Sequence, residues 1–296
     1  FTSAGYVPQS LHLKPHHTVQ EYLDYLFQKE LNHPIFQIVS EESQKLGFQT
    51  FVVGGFVRDI FLKRTSKDVD FVTVGSGIEL ATAVRKRLKK AHLSVFKNFG
   101  TAQLKTDDWE FEFVGARKES YDRNSRKPKV EDGTFEDDIY RRDFTINALA
   151  ISLNAPKYGE LIDLFGGMED LKKGLIRTPL DPKITFSDDP LRMMRAARFA
   201  TQLNFTLVPE TLEALKTEAH RLSIISQERI TDELQKIIKS AKPSIGFTLL
   251  FDTKLLHLFF PEMVRLQGVE VREGKGHKDN FYHTLQVLDQ TCEKTE

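Results

Sequence analysis

The sequence predicts an α/β head, a mixed β-sheet with flanking helices, followed by an all-α region. Three observations carry this. Between residues 49 and 115, β-branched and aromatic runs alternate with helical ones, the pattern of a mixed sheet. From about residue 188 the strand-like alternation stops and a 3.6-residue apolar period takes over. At 296 residues, 40% hydrophobic and 28% charged, the chain has the length and composition for about two globular domains with sizeable cores.

Taken in order, residues 19–46 read as helical, with Tyr22, Leu23, Leu26, Phe27 and Leu31 near helical spacing and a break at Pro34. The strand candidates are QTFVV (49–53), DVDFVTV (68–74), LSVF (93–96), TAQL (101–104) and WEFEF (109–113). FVRDIFLKR (56–64) and IELATAVRKRLKKA (78–91) are the helices between them. Residues 118–138 are polar, lack periodicity and carry Pro128 and Gly133, so they read as a long loop, and such loops are usually functional or disordered. The segments 209–222, 227–240 and 245–260 have helical periodicity only. The expected division is a helical lead at 1–46, a sheet domain at 47–175, a helical region at 176–262 and the start of a further helical domain at 263–296.

Charge and cysteine content narrow the classes. Lys plus Arg (42) equals Asp plus Glu (42), so no overall field marks a nucleic-acid or membrane protein, and patches must be sought locally. A single cysteine, Cys292, excludes an internal disulfide and a multi-cysteine zinc site, which favours a reducing compartment and makes cytoplasm the expectation. No run approaches the roughly 20 apolar residues of a membrane span. The chain opens on Phe1 without a signal-type segment and stops in polar TCEKTE, which suggests a fragment.

The chemistry concentrates in FVVGGFVRDIFLKRTSKDVDFVTVG (51–75). Alternation along a strand puts Asp68 and Asp70 on one face and Val69 and Phe71 on the other. Two adjacent carboxylates repel, and a cation relieves that better than a shared proton; oxygen ligands at this spacing suit Mg²⁺, above all when substrate phosphates complete its shell. An edge strand with a solvated acidic face is the plainer alternative. Gly54 and Gly55 sit between a strand and a helix, where bare backbone can approach a phosphate, and Arg58 shares that turn. In WEFEF, Glu110 and Glu112 share a face, so either acid could join the pair from a neighbouring strand. Two aspartates, a helper acid and a Gly-Gly turn are the parts needed for a hydroxyl to attack an α-phosphate with departure of pyrophosphate, which is nucleotidyl transfer.

These residues resemble the signature of the class II nucleotidyltransferases, the tRNA CCA-adding enzymes and bacterial poly(A) polymerases. GGFVRDIFLKRTSKDVDF is followed in the family's order by FEFVGARKESY, RRDFTINALA, DDPLRMMRAARFATQLNF and ERITDELQKII, over about residues 50–240. The resemblance implies that Gly54, Gly55 and Arg58 contact the nucleotide, that Asp68 and Asp70 hold Mg²⁺, and that Glu112 is the third acid while Glu110 is a bystander. Arg142 would lie near the nucleotide, with Asp143 and Asn147 shaping the ribose site. Asp189 and Arg192 would read the base edge: cytosine and adenine both offer an exocyclic amine beside a ring-nitrogen acceptor, which a carboxylate and a guanidinium match. Arg195 and Arg198 would contact the nucleotide or RNA. Local rules give Asp189 a competing role as N-cap of a helix starting at Pro190, with Arg192, Arg195 and Arg198 as a solvated basic edge.

Two basic clusters, 85–92 and 123–129, could neutralise RNA phosphates, although a solvated helix face is the better reading of the first. GHKDNFYHTLQVLD brings His277, Asp279 and His283 together and resembles the opening of an HD-type phosphohydrolase domain, whose His-Asp doublet would lie further on. The implied function is addition of CCA to tRNA 3′ ends from CTP and ATP. Poly(A) synthesis on RNA 3′ ends is the runner-up, and a non-catalytic RNA-binding protein or an HD phosphohydrolase is the alternative of a different class.

Overall fold

The computed structural model describes residues 18, 20–22, 24–25, 33–121, 128–268, 271–272, 275–276 and 279–294. They fall into two compact units, one holding the described residues up to 120 together with 128–172, the other running from 173 onward.

The first unit is built on a sheet. Helix α1 (Pro34–Leu46) begins where the lead breaks: Pro34 stands in the first turn, where its missing N–H is no loss, and His33 Nδ1 accepts from Ile35 N at 3.1 Å. There follow β1 (Thr50–Val53), α2 (Gly55–Phe61), β2 (Asp68–Thr73), α3 (Gly77–Arg87), β3 (His92–Phe96), β4 (Thr101–Lys105) and β5 (Glu110–Gly115). Then come β6 (Arg117–Ser120), β7 (Lys129–Asp132), α4 (Phe135–Tyr140), β8 (Leu149–Ser152), β9 (Leu161–Asp163) and α5 (Gly167–Lys173). A seven-stranded sheet has the order β3-β4-β5-β2-β1-β8-β9. It is mixed: β2 and β5 are parallel, while the other neighbouring pairs are antiparallel.

One face of β2 and β5 is aromatic. Phe71 stacks on Phe113 at 4.9 Å between ring centres and meets Phe36 of α1 at 6.1 Å, and Val69, Phe71, Phe111 and Phe113 are all buried. The opposite face is divided. Phe51, Val53 and Val72 pack under Phe135 and Ile139 of α4, whereas the entry of the same face carries carboxylates.

The expected loop at 118–138 is in part structured. Residues 122–127 lie outside the described residues, but β6 and β7 pair on either side, and α4 begins at Phe135. Every residue of β7 is exposed, so the pairing leaves no alternating apolar signature. It rests instead on opposite charges, with Lys118 facing Glu131 and Arg117 facing Asp132. The start of α4 was legible, because Thr134 and Asp137 form a reciprocal capping box.

The second unit is helical: α6 (Pro182–Asp188), α7 (Leu191–Leu203), α8 (Pro209–Glu218), α9 (Gln227–Ile238), α10 (Ser244–Asp252), α11 (Leu256–Phe259), α12 (Pro261–Val264) and α13 (Asn280–Lys294). A two-residue parallel pairing of 175–176 with 206–207 and a short antiparallel one of 271–272 with 275–276 are its only strands among the described residues. Helices α7, α9 and α10 meet closely at Gly246, where a Cβ would stand 2.5 Å from Thr201 Oγ1 and 2.7 Å from Ile237 Cγ2. Thr201 is itself anchored to Ala197 O at 2.7 Å, so the neighbours have little room to yield. Gly246→Ala is therefore expected to destabilise the helical unit by about 1–3 kcal/mol, an overpacking cost, read as a lower urea midpoint at unchanged slope.

Candidate active site

In-register parallel pairing places Asp68 opposite Glu110 and Asp70 opposite Glu112. Because Val69, Phe71, Phe111 and Phe113 take the aromatic face, all four carboxylates share the other one. The two glutamates then part in circumstance. Glu110 is ion-paired to Lys105 on β4. Glu112 has no such partner: the surrounding sheet and then the charge of Asp70 push its carboxyl above the usual range, and Arg117 only partly offsets them. Its side chain nonetheless keeps an open surface to solvent.

Among the described residues, no three His, Cys, Asp or Glu side chains converge into a metal-holding group. The face offers a divalent cation the Asp68–Asp70 pair rather than a closed cage. That donor set fits Mg²⁺, which keeps only one or two carboxylates and completes its shell with phosphate and water.

Next to the acids lies the glycine turn. Gly54 has φ +77°, a conformation L side chains avoid, and donates its N–H to Leu149 O at 3.1 Å. The position a Cβ would take is 3.3 Å from Arg142 Nη1, 3.7 Å from Asp70 Oδ2 and 3.8 Å from Asn147 O. The missing side chain thus leaves a space bordered by a cation, a carboxylate and a carbonyl. Helix α2 behind it has seven residues, so its dipole is short and an anion here depends on the arginines.

Those arginines are differently employed. Arg58 is buried and donates from Nη1 to Asn147 Oδ1 at 2.7 Å and from Nε to Asp59 Oδ1 at 2.8 Å. Asn147 in turn donates to Asp143 Oδ1 at 3.1 Å, which also accepts from Phe144 N at 2.8 Å. Arg58, Asp143 and Asn147 thereby form one polar scaffold behind the turn. Arg142 donates from Nη2 to Asp138 Oδ2 at 3.0 Å, while its Nε is buried without a hydrogen-bond partner.

Asp138 is a residue the sequence reading missed. Its side chain is 0% exposed and binds both Arg142 and, through Oδ1 at 2.7 Å, Arg141. Burial alone would raise its carboxyl; the charges and hydrogen bonds of Arg142 and Arg141 overcome this and hold it below the usual carboxylate range. The buried Glu119 continues the chain, 3.5 Å from Arg141 Nη1 and 2.8 Å from Arg117 Nε. The signal was present in EDDIYRRDF, where Asp138 stands three and four residues before the arginines.

The remaining candidates belong to the second unit. Asp189 Oδ1 accepts from Leu191 N at 3.2 Å, the capping contact, and Pro190 has helical dihedrals. Its Oδ2 lies 4.0 Å from Arg192 Nε, and Arg192 Nη1 donates to Thr185 O at 3.3 Å. The basic stripe is not a solvated edge. Arg192 is buried, Arg195 and Arg198 are half-buried around Phe199, and Arg198 Nε lies 2.6 Å from Glu233 Oε2 of α9. Of the C-terminal trio, His277 lies outside the described residues. Asp279 accepts from Phe281 N at 2.9 Å as a helix cap, and His283 is exposed on α13. Of the basic cluster at 85–92, Arg87 is ion-paired with Glu41 and Glu42 of α1.

Comparison with known proteins matches residues 50–177 to the poly A polymerase head domain and residues 204–266 to the probable RNA and SrmB-binding site of polymerase A. The chain is 44% identical over 194 residues to an A-adding tRNA nucleotidyltransferase of Aquifex aeolicus, covering 64% of this chain and 23% of that protein. It is 33% identical over 258 residues to a CC-adding tRNA nucleotidyltransferase of Halalkalibacterium halodurans, covering 85% of this chain and 62% of that one. It also resembles the structure of a Thermotoga maritima CCA-adding enzyme complexed with tRNA, with a TM-score of 0.70 at 28% identity over 90% of this chain and 65% of that one. The chain thus spans less than two thirds of the length of each of these three proteins.

Asp138→Asn tests the buried anchor. Removing the buried counter-charge that Arg142 and Arg141 share, with Glu119 left to Arg141, is expected to cost about 3 kcal/mol at pH 7, measured by denaturant unfolding. A carboxylate whose folded pKa is depressed contributes fully above its unfolded value and loses that contribution as pH falls through the folded one. The deficit of the variant is therefore constant around neutrality and shrinks below about pH 4.

Proposed function

The chain belongs to the tRNA nucleotidyltransferase and poly(A) polymerase family, and from that membership we propose that it is a template-independent nucleotidyltransferase that adds CCA to tRNA 3′ ends from CTP and ATP. The observation that carries the proposal is the convergence of Asp70 Oδ2, Arg142 Nη1 and the Asn147 carbonyl on the open side of Gly54. A triphosphate lying over that opening has its charge met by Arg142, while Asp138 keeps the guanidinium in place from behind. The bare α-carbon lets phosphate oxygens approach where any side chain would obstruct them.

Asp68 and Asp70 would hold Mg²⁺, and the chemistry a pair of such ions would supply there is a lowered pKa of the attacking 3′-hydroxyl and stabilisation of the departing pyrophosphate. Glu112, aligned with Asp70, places a third carboxylate on the face that would hold the cation. Behind the turn, Arg58, Asn147 and Asp143 fix its backbone and, through Asn147 and Asp143, offer polar groups to the ribose. For base selection the proposal uses Asp189 and Arg192. With Oδ1 capping the helix, Oδ2 accepts from an exocyclic amine and the Arg192 guanidinium donates to a ring nitrogen, which admits cytosine and adenine and refuses uracil and guanine. Arg195 supplies charge toward nucleotide or RNA, whereas Arg198 is committed to Glu233.

A second reading has its own support: the 44% identity to an A-adding enzyme favours addition of the terminal adenosine alone. Transfer RNAs ending before CCA and after CC, each supplied with CTP, ATP or both, separate the readings. CCA addition requires two C and one A on the first substrate. Incorporation only on the CC-ended substrate leaves the A-adding reading, and long tails from ATP alone indicate poly(A) synthesis.

Substituting Asp68 or Asp70 with Ala is expected to lower incorporation by at least about 10²-fold, the scale of losing one electrostatic element of a transition state, with RNA binding little changed. Unchanged incorporation removes these residues from the mechanism. Gly54→Ala is expected to raise the KM for the nucleotide, because its methyl enters the space beside Arg142, and to lower stability as well, because φ +77° strains any L side chain.

A further inference from the structure

A cleft of about 430 Å³ opens on the sheet unit at the end of α2, lined by Tyr22, Phe56, Lys63, Arg64, Lys67 and Trp109 among others. Its volume is within the roughly 300–1,000 Å³ of small-molecule sites. The chemistry is segregated. Aromatic rings form one wall: Trp109 lies 6.3 Å from Phe56 and stacks on Phe111 at 5.8 Å, and Phe56 and Tyr22 are buried. The segment Lys63–Lys67 forms the other, with Lys63, Arg64 and Lys67 beside Thr65 and Ser66, and among the described residues no carboxylate lines the cleft. Asp108 reaches Lys67 at 3.6 Å in an exposed pair, which is a weak competitor for a ligand.

Backbone geometry reinforces the segregation. Lys63 follows the last turn of α2 with φ +54°, at a position where glycine is the usual residue. A long cation stands there instead, among the lining residues. Lys67 and Trp109 immediately precede Asp68 and Glu110, so the cleft lies at the entry of β2 and β5, outside the Gly54 opening.

We propose that this cleft binds a nucleoside phosphate unit, with the base against the Trp109 wall and the phosphate held by Lys63, Arg64 and Lys67. Stacking on an aromatic platform beside a line of cations is how single-stranded nucleic acid is held without regard to sequence. The unit has two possible sources, a nucleotide of an RNA strand or a free nucleotide.

Trp109 is the chain's one tryptophan, so its fluorescence reports on this cleft directly. Titrations would use cytidine monophosphate, the dinucleotide pCpC and inorganic phosphate, in EDTA and in an Asp68→Ala, Asp70→Ala background. Transfer is abolished there, and because Trp109 lines the cleft and not the Gly54 opening, its quenching reports on the cleft whatever the fate of the function proposed above. Saturable quenching by the nucleotides is expected, with inorganic phosphate competing without quenching. The variant Lys63→Gly, Arg64→Ala suits the backbone at 63 and is expected to fold with unchanged stability while weakening binding at least tenfold. Tighter binding of pCpC than of the mononucleotide identifies an RNA strand as the source, and the reverse identifies a free nucleotide. Absence of quenching, or equal affinity in the double variant, overturns the proposal.

Discussion

The in-register parallel pairing of Asp68–Thr73 with Glu110–Gly115 is the constraint on which the candidate chemistry depends. A slip of one residue would turn every side chain of a strand to the other face. If β5 slipped, Phe111 and Phe113 would leave the aromatic layer and Glu110 and Glu112 would enter it. At about 2 kcal/mol for each large apolar side chain, the exposure alone would cost on the order of 4 kcal/mol, a large part of the stability of a domain. The carboxylates are held together by what lies behind them. Their own contacts are not needed for it.

Crowding acids in this way has an electrostatic cost that the surrounding charges distribute. Lys105 takes Glu110, Arg117 moderates Glu112, and Arg142 stands across the glycine opening from Asp70. None of these cations is loose: Glu119 holds Arg117, and buried Asp138 holds both Arg141 and Arg142. Charge alternates outward from the sheet until it reaches groups with no exposure. This arrangement leaves the acidic face short of counter-charge while the rest is balanced, which is the condition under which a cation and a polyanion can be taken up together.

Much of this was legible in the residues. Alternation in DVDFVT and EFEFVG placed the acids on one face and the rings on the other, and burial of Val69, Phe71, Phe111 and Phe113 follows it. The register that sets Glu112 rather than Glu110 beside Asp70 was not, because strand pairing is a long-range property that residue spacing within one strand does not encode. The β6–β7 pairing escaped because β7 is exposed throughout and neither strand has an apolar period. Local rules alone made Arg192, Arg195 and Arg198 a wet edge, because their spacing was visible while Glu233, a residue on another helix, was not. Asp138 was overlooked although its spacing to two arginines was in view; two aspartates in a row before RR look like surface until burial separates them.

Helix α7 is enclosed along nearly its whole length, from Leu191 to Leu203, with Arg198 tied to α9 and Gly246 of α10 pressed against Thr201. Almost every position on it is spoken for by packing. Drift along this helix is therefore closed as a route to new substrate preference in descendants of this sequence, and diversification must pass through neighbouring segments. Lineages that diverged in preference should accordingly differ abruptly at few places and hardly at all between them.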